Sequence, residues 1–187
     1  MQIVLGSKSP RRSEILSSLG YSFVVRVSEA KEESLETDPK KYVLEIAKQK
    51  ADNISISEDE LLITADTVVV LDNLILGKPK DKEDAFMMLK ALQDNTHYVL
   101  TAVCLKYKNS FLEFLEESSV TFNKVSDTEI NAYIDTLDPM DKAGAYGIQG
   151  EFGKYVKEYS GDYFTIMGLP KERLKIELSN FIKMYIE

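Results

Sequence analysis

The chain has 187 residues and a formal net charge of −8 at pH 7, from 23 Lys and Arg against 31 Asp and Glu. This charge argues against general binding of duplex nucleic acid, and no apolar run approaches the roughly 18 residues that span a bilayer. The length predicts a single domain over residues 1–187, and the N-terminus lacks the pattern of a secretory signal. With one cysteine, Cys104, and one histidine, His97, the chain cannot form an internal disulfide or a multi-histidine metal site.

Strand-like runs alternate with helical patterns in the first half of the chain. Residues 2–6 and 23–27 are predicted strands, and the first helix runs from Ser9-Pro10 to Gly20. An acidic loop over residues 29–38 leads to a second helix that starts at Asp38-Pro39. Both helices thus begin with a capping residue followed by proline, a typical helix start.

The second half continues the alternation with longer strands. The patterns predict a strand over 61–71 with a turn at Asp72-Asn73, a helix over 81–92, and strands over 97–107 and 112–125. The next helix begins with the capping box of Ser126 and Glu129, and its apolar face carries Ile130, Tyr133, Ile134 and Leu137. A glycine-rich loop over 138–153, a short strand over 163–167 and a helix from Pro170 follow. Long strands between helices favour an α/β or mixed α+β fold with a mixed sheet.

Two arginines, Arg11 and Arg12, occupy the first turn of the first predicted helix. Cations there oppose the helix dipole, at a cost of roughly 0.3–1 kcal/mol each at exposed sites. Together with the free N–H groups of that turn and the hydroxyls of Ser7 and Ser9, they would form an anion site. The alternative is that both arginines pair with carboxylates at the surface.

Asp66 is the only charged residue in the apolar run 61–71. A buried carboxylate needs a cation, a metal or a water as its partner, although a capping role at the end of a strand is also open. Lys50 follows Val43, Ile46 and Ala47 on one helix face, where it either enters a cleft or extends to solvent.

The segment DKAGAYGIQG, residues 141–150, contains three of the nine glycines of the chain. Glycines permit close approach of backbone to a ligand, and Gln149 offers the donor and acceptor that suit the edge of a nucleobase. The alternative is a tight irregular connection. The basic side chains could gather around a polyanion, and Asp66 and a glutamate of the acidic loop could supply metal ligands or a base. Together with the glycine-rich segment, this set of charges indicates hydrolysis of a phosphoanhydride.

Five motifs in order give the chain a family resemblance. LGSKSPRRSEIL at the N-terminus, TADTVV at 64–69, LGKP at 76–79, DKAGAYGIQG and GDYFTIMGLP at 161–170 closely resemble the Maf family of nucleoside triphosphate pyrophosphatases, also known as septum-formation proteins. The resemblance implies an elongated fold around a mixed sheet, related to inosine triphosphate pyrophosphatases. It also implies a cytoplasmic homodimer that depends on Mg²⁺ or Mn²⁺.

The same resemblance implies roles for individual residues. Asp66 would be the proton acceptor, and Glu32 and Asp66 would hold the metal, with Glu33 as an alternative to Glu32. The residues implied at the substrate are Ser7, Arg11, Arg12, Lys50, Thr67, Lys78 and Gln149.

The intact glutamine of DKAGAYGIQG resembles the branch of the family that acts on dTTP and UTP. Modified pyrimidine nucleotides are possible further substrates of that branch. A 7-methyl-GTP pyrophosphatase is the alternative within the family. A non-enzymatic, nucleotide-sensing regulator of septum formation is the alternative from another class.

Overall fold

The computed structural model describes residues 1–185, which contain seven strands and six α-helices. The strands are β1 Gln2–Leu5, β2 Phe23–Val25, β3 Glu60–Leu71, β4 Leu74–Leu76, β5 Thr96–Tyr107, β6 Ser110–Phe122 and β7 Val156–Ser160. The helices are α1 Pro10–Ser18, α2 Pro39–Asp52, α3 Lys82–Leu92, α4 Asp127–Asp135, α5 Tyr163–Met167 and α6 Lys171–Tyr185. No helix in this part of the chain is long and apolar enough to cross a membrane.

One mixed sheet contains all the strands found in residues 1–185. Its order is β2-β1-β3-β5-β6-β7, and β4 pairs with the end of β3. β1 runs parallel to β2 and β3, whereas the remaining pairs are antiparallel. The mixed α/β fold predicted from the sequence is therefore confirmed.

The middle of β3 lies at an opening in this sheet. β1 pairs with β3 only as far as Ile63, and β4 pairs with it only as far as Val69. Residues 64–68 therefore have a described strand, β5, on one edge only. Because successive side chains of a strand point to opposite faces, Asp66 and Thr67 lie on opposite sides of the sheet at this opening.

Helices cover both faces of the sheet. On one face α2 packs through Val43, Ala47 and Ala51 against even-numbered β3 residues such as Leu62 and Val68. On the other face α1, α5 and α6 pack at one end, and α3 and α4 pack at the other. Cys104 is fully buried beneath α2, and burial raises the pKa of its thiol to about 12.

The prediction of a strand over 163–167 is wrong, because these residues form helix α5. The Asp162 carboxylate accepts hydrogen bonds from the backbone N–H groups of Phe164 and Thr165, which caps the helix. Gly168 then ends it by donating to the Phe164 carbonyl. A five-residue apolar run does not distinguish a strand from a helix, so these two ends decide the outcome.

The expectation for Leu137 is wrong. It is predicted on the apolar face of α4, but the helix ends at Asp135, and Leu137 has φ 64° and is 60% exposed. Ser9 occupies the predicted N-cap position of α1, although its side chain makes no capping hydrogen bond.

The predicted glycine-rich loop is built largely of three short 3₁₀ helices, Asp138–Asp141, Ala143–Ala145 and Glu151–Tyr155. It is fastened to the sheet through the turn that follows β4, where Gly144 N–H donates to the carbonyl of Gly77. The loop therefore lies beside the opening at β3.

Candidate functional site

A cleft of about 720 Å³ lies at the opening in the sheet. Its walls come from the end of β1, the start of α1, one face of α2, the middle of β3 and the glycine-rich loop. All nine residues expected at the site line it, namely Ser7, Arg11, Arg12, Glu32, Lys50, Asp66, Thr67, Lys78 and Gln149.

The charge of the cleft is opposite to that of the protein. Six basic side chains line it against three acidic ones, whereas the whole chain carries a net charge of −8. The basic side chains are Lys8, Arg11, Arg12, Lys50, Lys78 and Lys142. A concave surface with this excess of positive charge attracts polyanions.

Arg12 is held in place by three hydrogen bonds. Its guanidinium donates to the carbonyl of Gly168 at 2.8 Å, to Ser7 Oγ at 3.1 Å and to Thr67 Oγ1 at 3.0 Å. Burial lowers the pKa of Arg12, and the negative charge of Asp66 acts in the opposite direction. Arg12 thus joins α1, β3 and the end of α5, and its charge is fixed in the cleft wall.

Thr67 continues this connection into the sheet. Thr101 Oγ1 donates to the carbonyl of Thr165 at 2.8 Å, so the Thr67 hydroxyl donates to Thr101 across 3.0 Å. Its oxygen accepts the hydrogen bond from Arg12 at the same time. The hydroxyl of Thr67 is therefore used to orient the guanidinium.

On the opposite face of β3, Asp66 pairs with Lys50 of α2. Lys50 Nζ lies 2.6 Å from Asp66 Oδ1, and the two side chains are only 20% and 17% exposed. Lys50 therefore enters the cleft, and the partner that the Asp66 carboxylate needs is a cation of the protein. Strand alternation brings Asp66 to α2 and Thr67 to Arg12 of α1.

The structure separates the two glutamates of the acidic loop. Glu33 N–H donates to Gln49 Oε1 at 3.1 Å, and Gln49 Nε2 donates to the Glu33 carbonyl at 2.8 Å. The Glu33 side chain is exposed, whereas Glu32 is half-buried and lines the cleft. The backbone of Glu33 thus fastens the loop to α2 with Glu32 at the cleft.

Comparison with known proteins identifies the family. The profile of the Maf family, described as "Maf-like protein", matches residues 2–181. The chain belongs to the Maf family.

Curated Maf relatives are similar over nearly their whole length. A protein of Acholeplasma laidlawii named "dTTP/UTP pyrophosphatase" is 47% identical and covers 96% of each chain. Proteins with the same name from Clostridium beijerinckii and Clostridium botulinum are 46% and 44% identical, over 95% and 97% of this chain and 98% and 100% of their own length.

Among solved structures, a HAM1 protein from Coxiella burnetii has a similar fold. The TM-score is 0.53 at 14% identity, over 96% of this chain and 99% of that chain. At this low identity, the likeness shows a shared fold and nothing more.

Sequence reasoning missed Tyr42 as a cleft residue. Tyr42, Ile46 and Lys50 stand four residues apart on α2 and all line the cleft. Burial raises the pKa of the Tyr42 hydroxyl, and the negative charges of Asp66 and Glu32 act in the same direction. The spacing that located Lys50 would have found Tyr42 if it had been extended by one turn toward the start of the helix.

The carboxylates of the cleft suit a hard divalent cation. Among residues 1–185, no group of three or more histidine, cysteine, aspartate or glutamate side chains is placed to hold a metal ion. Glu32 and Asp66 nevertheless offer two carboxylates at one cleft, and Mg²⁺ commonly binds one or two carboxylates together with water and substrate phosphates. The donor set therefore fits an ion that is bound jointly with a phosphorylated substrate.

Proposed function

We propose that this Maf chain hydrolyses dTTP and UTP between the α and β phosphates, releasing the nucleoside monophosphate and pyrophosphate. The observation that carries the proposal is a partly buried carboxylate, Asp66, in a cleft lined by Arg11, Arg12, Lys50 and Lys78. The names of the relatives support the same activity. Modified pyrimidine triphosphates are included as possible substrates.

In the proposed reaction Asp66 orients a water and accepts its proton. The water oxygen forms a bond to the α-phosphorus, and the bond from that phosphorus to the bridging oxygen breaks. The electron pair of the broken bond leaves with pyrophosphate. A general base contributes roughly 10²–10⁴-fold to such a step.

The basic side chains stabilise the negative charge of the departing pyrophosphate. Arg11, Arg12, Lys50 and Lys78 fill this role, and the hydroxyl of Ser7 adds a hydrogen bond. Lys50 would exchange Asp66 for the phosphate oxygens when substrate binds, which frees the carboxylate to act as a base. The fixed guanidinium of Arg12 needs no such movement, because the protein already orients it.

Glu32 and Asp66 would hold Mg²⁺ or Mn²⁺ against the triphosphate. When bound, the cation neutralises phosphate charge and polarises the phosphorus–oxygen bonds. Gln149 would hydrogen-bond the edge of the pyrimidine, and Thr67 would act through the orientation of Arg12.

A nucleotide panel tests the proposal directly. Purified protein is incubated with dTTP, UTP, CTP, ATP and 7-methyl-GTP, with and without Mg²⁺, and monophosphate and pyrophosphate are quantified. We expect equal amounts of both products, highest from dTTP and UTP, and only with the cation. Preference for 7-methyl-GTP would move the chain to the other branch, and binding without turnover would indicate the regulator. The relatives favour neither alternative.

Three finer properties are part of the proposal. The chain would act as one domain over residues 1–187, as a homodimer and in the cytoplasm, as the family resemblance implies. The three buried clusters pack on one sheet, which supports the single domain. Light scattering of the eluted protein in gel filtration tests the homodimer, and a monomeric mass would contradict it.

A further inference from the structure

Lys142 is a nearly buried cation at the base of the glycine-rich loop, with 8% of the residue exposed. Its ammonium lies 2.6 Å from the Asp138 carbonyl, 2.9 Å from Asp138 Oδ1 and 2.7 Å from Asp141 Oδ1. These acceptors match the three donors of an ammonium group. Two carboxylates also balance its charge, so Lys142 differs from the cations proposed to bind phosphate.

The contacts of Lys142 extend into helix α4. Tyr133 Oη donates to Asp138 Oδ2 at 2.8 Å. Burial raises the pKa of Tyr133, and the hydrogen bond to Asp138 acts in the same direction. Burial alone would raise the pKa of Asp138, but the hydrogen bonds from Lys142 and Tyr133 keep it below its ordinary value. Asp138 is therefore a carboxylate that bridges helix and loop.

The turn that carries Gln149 lies directly on this group. A Cβ atom at Gly147 would be 3.1 Å from Lys142 Cε, and one at Gly150 would be 3.1 Å from Asp138 Oδ2. Gly150 N–H donates to the Gly147 carbonyl, which closes the turn around Gln149. The Gln149 side chain itself is exposed, and the turn sets the position from which it extends.

We propose that Lys142, Asp138 and Tyr133 form a positioning unit that fixes the turn 147–150 and thereby sets the selectivity for the nucleobase. This inference rests on the proposed function, because it concerns how Gln149 reaches the base. The hydrogen bonds described for the unit join α4 and the loop, and none of them involves a proposed phosphate-binding side chain. Loss of the unit should therefore reduce recognition of the base and leave the cleavage step in place.

The test compares UTP with ribose 5-triphosphate, which has the same phosphates and sugar but no base. In Lys142→Met the side chain stays unbranched as far as the ε position but loses the ammonium group and its three hydrogen bonds. We expect kcat/KM for UTP to fall at least about tenfold, mainly through KM, because a displacement of the order of 1 Å can cost far more than that. Activity on ribose 5-triphosphate should remain close to that of the parent protein.

Two further variants separate positioning from general instability. Tyr133→Phe removes only the hydrogen bond to Asp138, so it should reduce the preference for UTP in the same direction by a smaller factor. Lys142→Arg keeps a cation and should restore part of the preference. Lys82→Met is the matched control, since Lys82 forms an exposed ion pair with Asp135 at 2.8 Å on the surface of α3 and α4. This control should leave kcat/KM unchanged for both substrates.

The outcomes are distinguishable from failure of the proposed function. If the parent protein does not hydrolyse UTP or dTTP, the proposed function itself is wrong. If the parent is active and Lys142→Met lowers kcat/KM equally for UTP and ribose 5-triphosphate, or for neither, the positioning role is wrong. Should Lys142→Met fail to fold, Tyr133→Phe decides, and an unchanged preference for UTP in that variant overturns the inference.

Discussion

The two halves of the cleft are built in different ways. The charged half, with Ser7, Arg12, Lys50, Asp66 and Thr67, stands on or beside regular strands and helices. The glycine-rich half, residues 138–155, consists of short 3₁₀ turns that side chains and the neighbouring backbone hold in place. Rigid elements orient charges toward a phosphate chain, whereas an irregular turn can follow the shape of a base.

The largest effect is expected in the charged half, from Asp66→Asn. The amide can still accept a hydrogen bond from Lys50, but it cannot take a proton from water. We expect kcat to fall about 10²–10⁴-fold in a protein that still folds. Asp72→Asn is the control, because Asp72 is an exposed turn residue at the end of the same strand. A rate close to that of the parent in Asp66→Asn would falsify the role of the base.

The next largest effect is expected from Arg12, and it should differ from that of its neighbour Arg11. Arg12→Ala removes three hydrogen bonds of a half-buried group, so it should lower the free energy of unfolding by about 1–3 kcal/mol. It should also cost about 2–4 kcal/mol of transition-state stabilisation. Arg11→Ala should reduce kcat/KM with much less loss of stability. Urea unfolding and steady-state kinetics measure both, and equal destabilisation by the two variants would contradict the assignment.

In the glycine-rich half, the next test concerns stability. Gly144 has φ +66°, and a Cβ atom there would lie 2.8 Å from Val69 Cγ2. Gly144→Ala should therefore destabilise the protein by about 1–3 kcal/mol through crowding and backbone strain. Gly20→Ala is the control, since Gly20 has φ +84° but nothing within 4 Å of the added atom. Equal unfolding temperatures for the two variants would mean that the loop moves to accommodate the added atom, and would contradict this prediction.

The last prediction concerns the pH dependence that follows from His97, which lies under the same loop. His97 is fully buried and its Nε2 is 2.7 Å from Tyr146 Oη. Burial lowers its pKa from 6.5 to about 4. Between these values the unfolded chain binds a proton that the folded chain does not. Stability therefore falls as the pH drops through this window, by up to about 1.4 kcal/mol per pH unit.

NMR checks this prediction directly, because His97 is the one histidine of the sequence and its ring signals need no further assignment. Its ring signals should report the neutral form from pH 7 down to about 5. A titration midpoint near 6.5 would instead place the ring in contact with solvent.

The charged half of the cleft was largely predictable from the sequence. Lys50 and Asp66 were found because helix periodicity and an isolated charge in an apolar strand are local signals. Strand β7 was missed, since four of its five residues are exposed and pairing with β6 is what defines it.

Other parts of the structure depend on contacts that no spacing records. The role of Lys142 rests on hydrogen bonds to Asp138 and Asp141 within an irregular segment, one of them to a backbone carbonyl. Helix α5 depends on its cap at Asp162. The assembly of the two halves into one cleft follows from the opening between β1 and β4, which is a property of the sheet.

The central claim is that this cleft directs water to the α-phosphorus of a nucleoside triphosphate. Hydrolysis of UTP in water enriched in a heavy oxygen isotope, followed by mass spectrometry of both products, tests it most directly. The label should appear in uridine monophosphate and be absent from pyrophosphate. Label in pyrophosphate, or orthophosphate as the first product, would contradict the account.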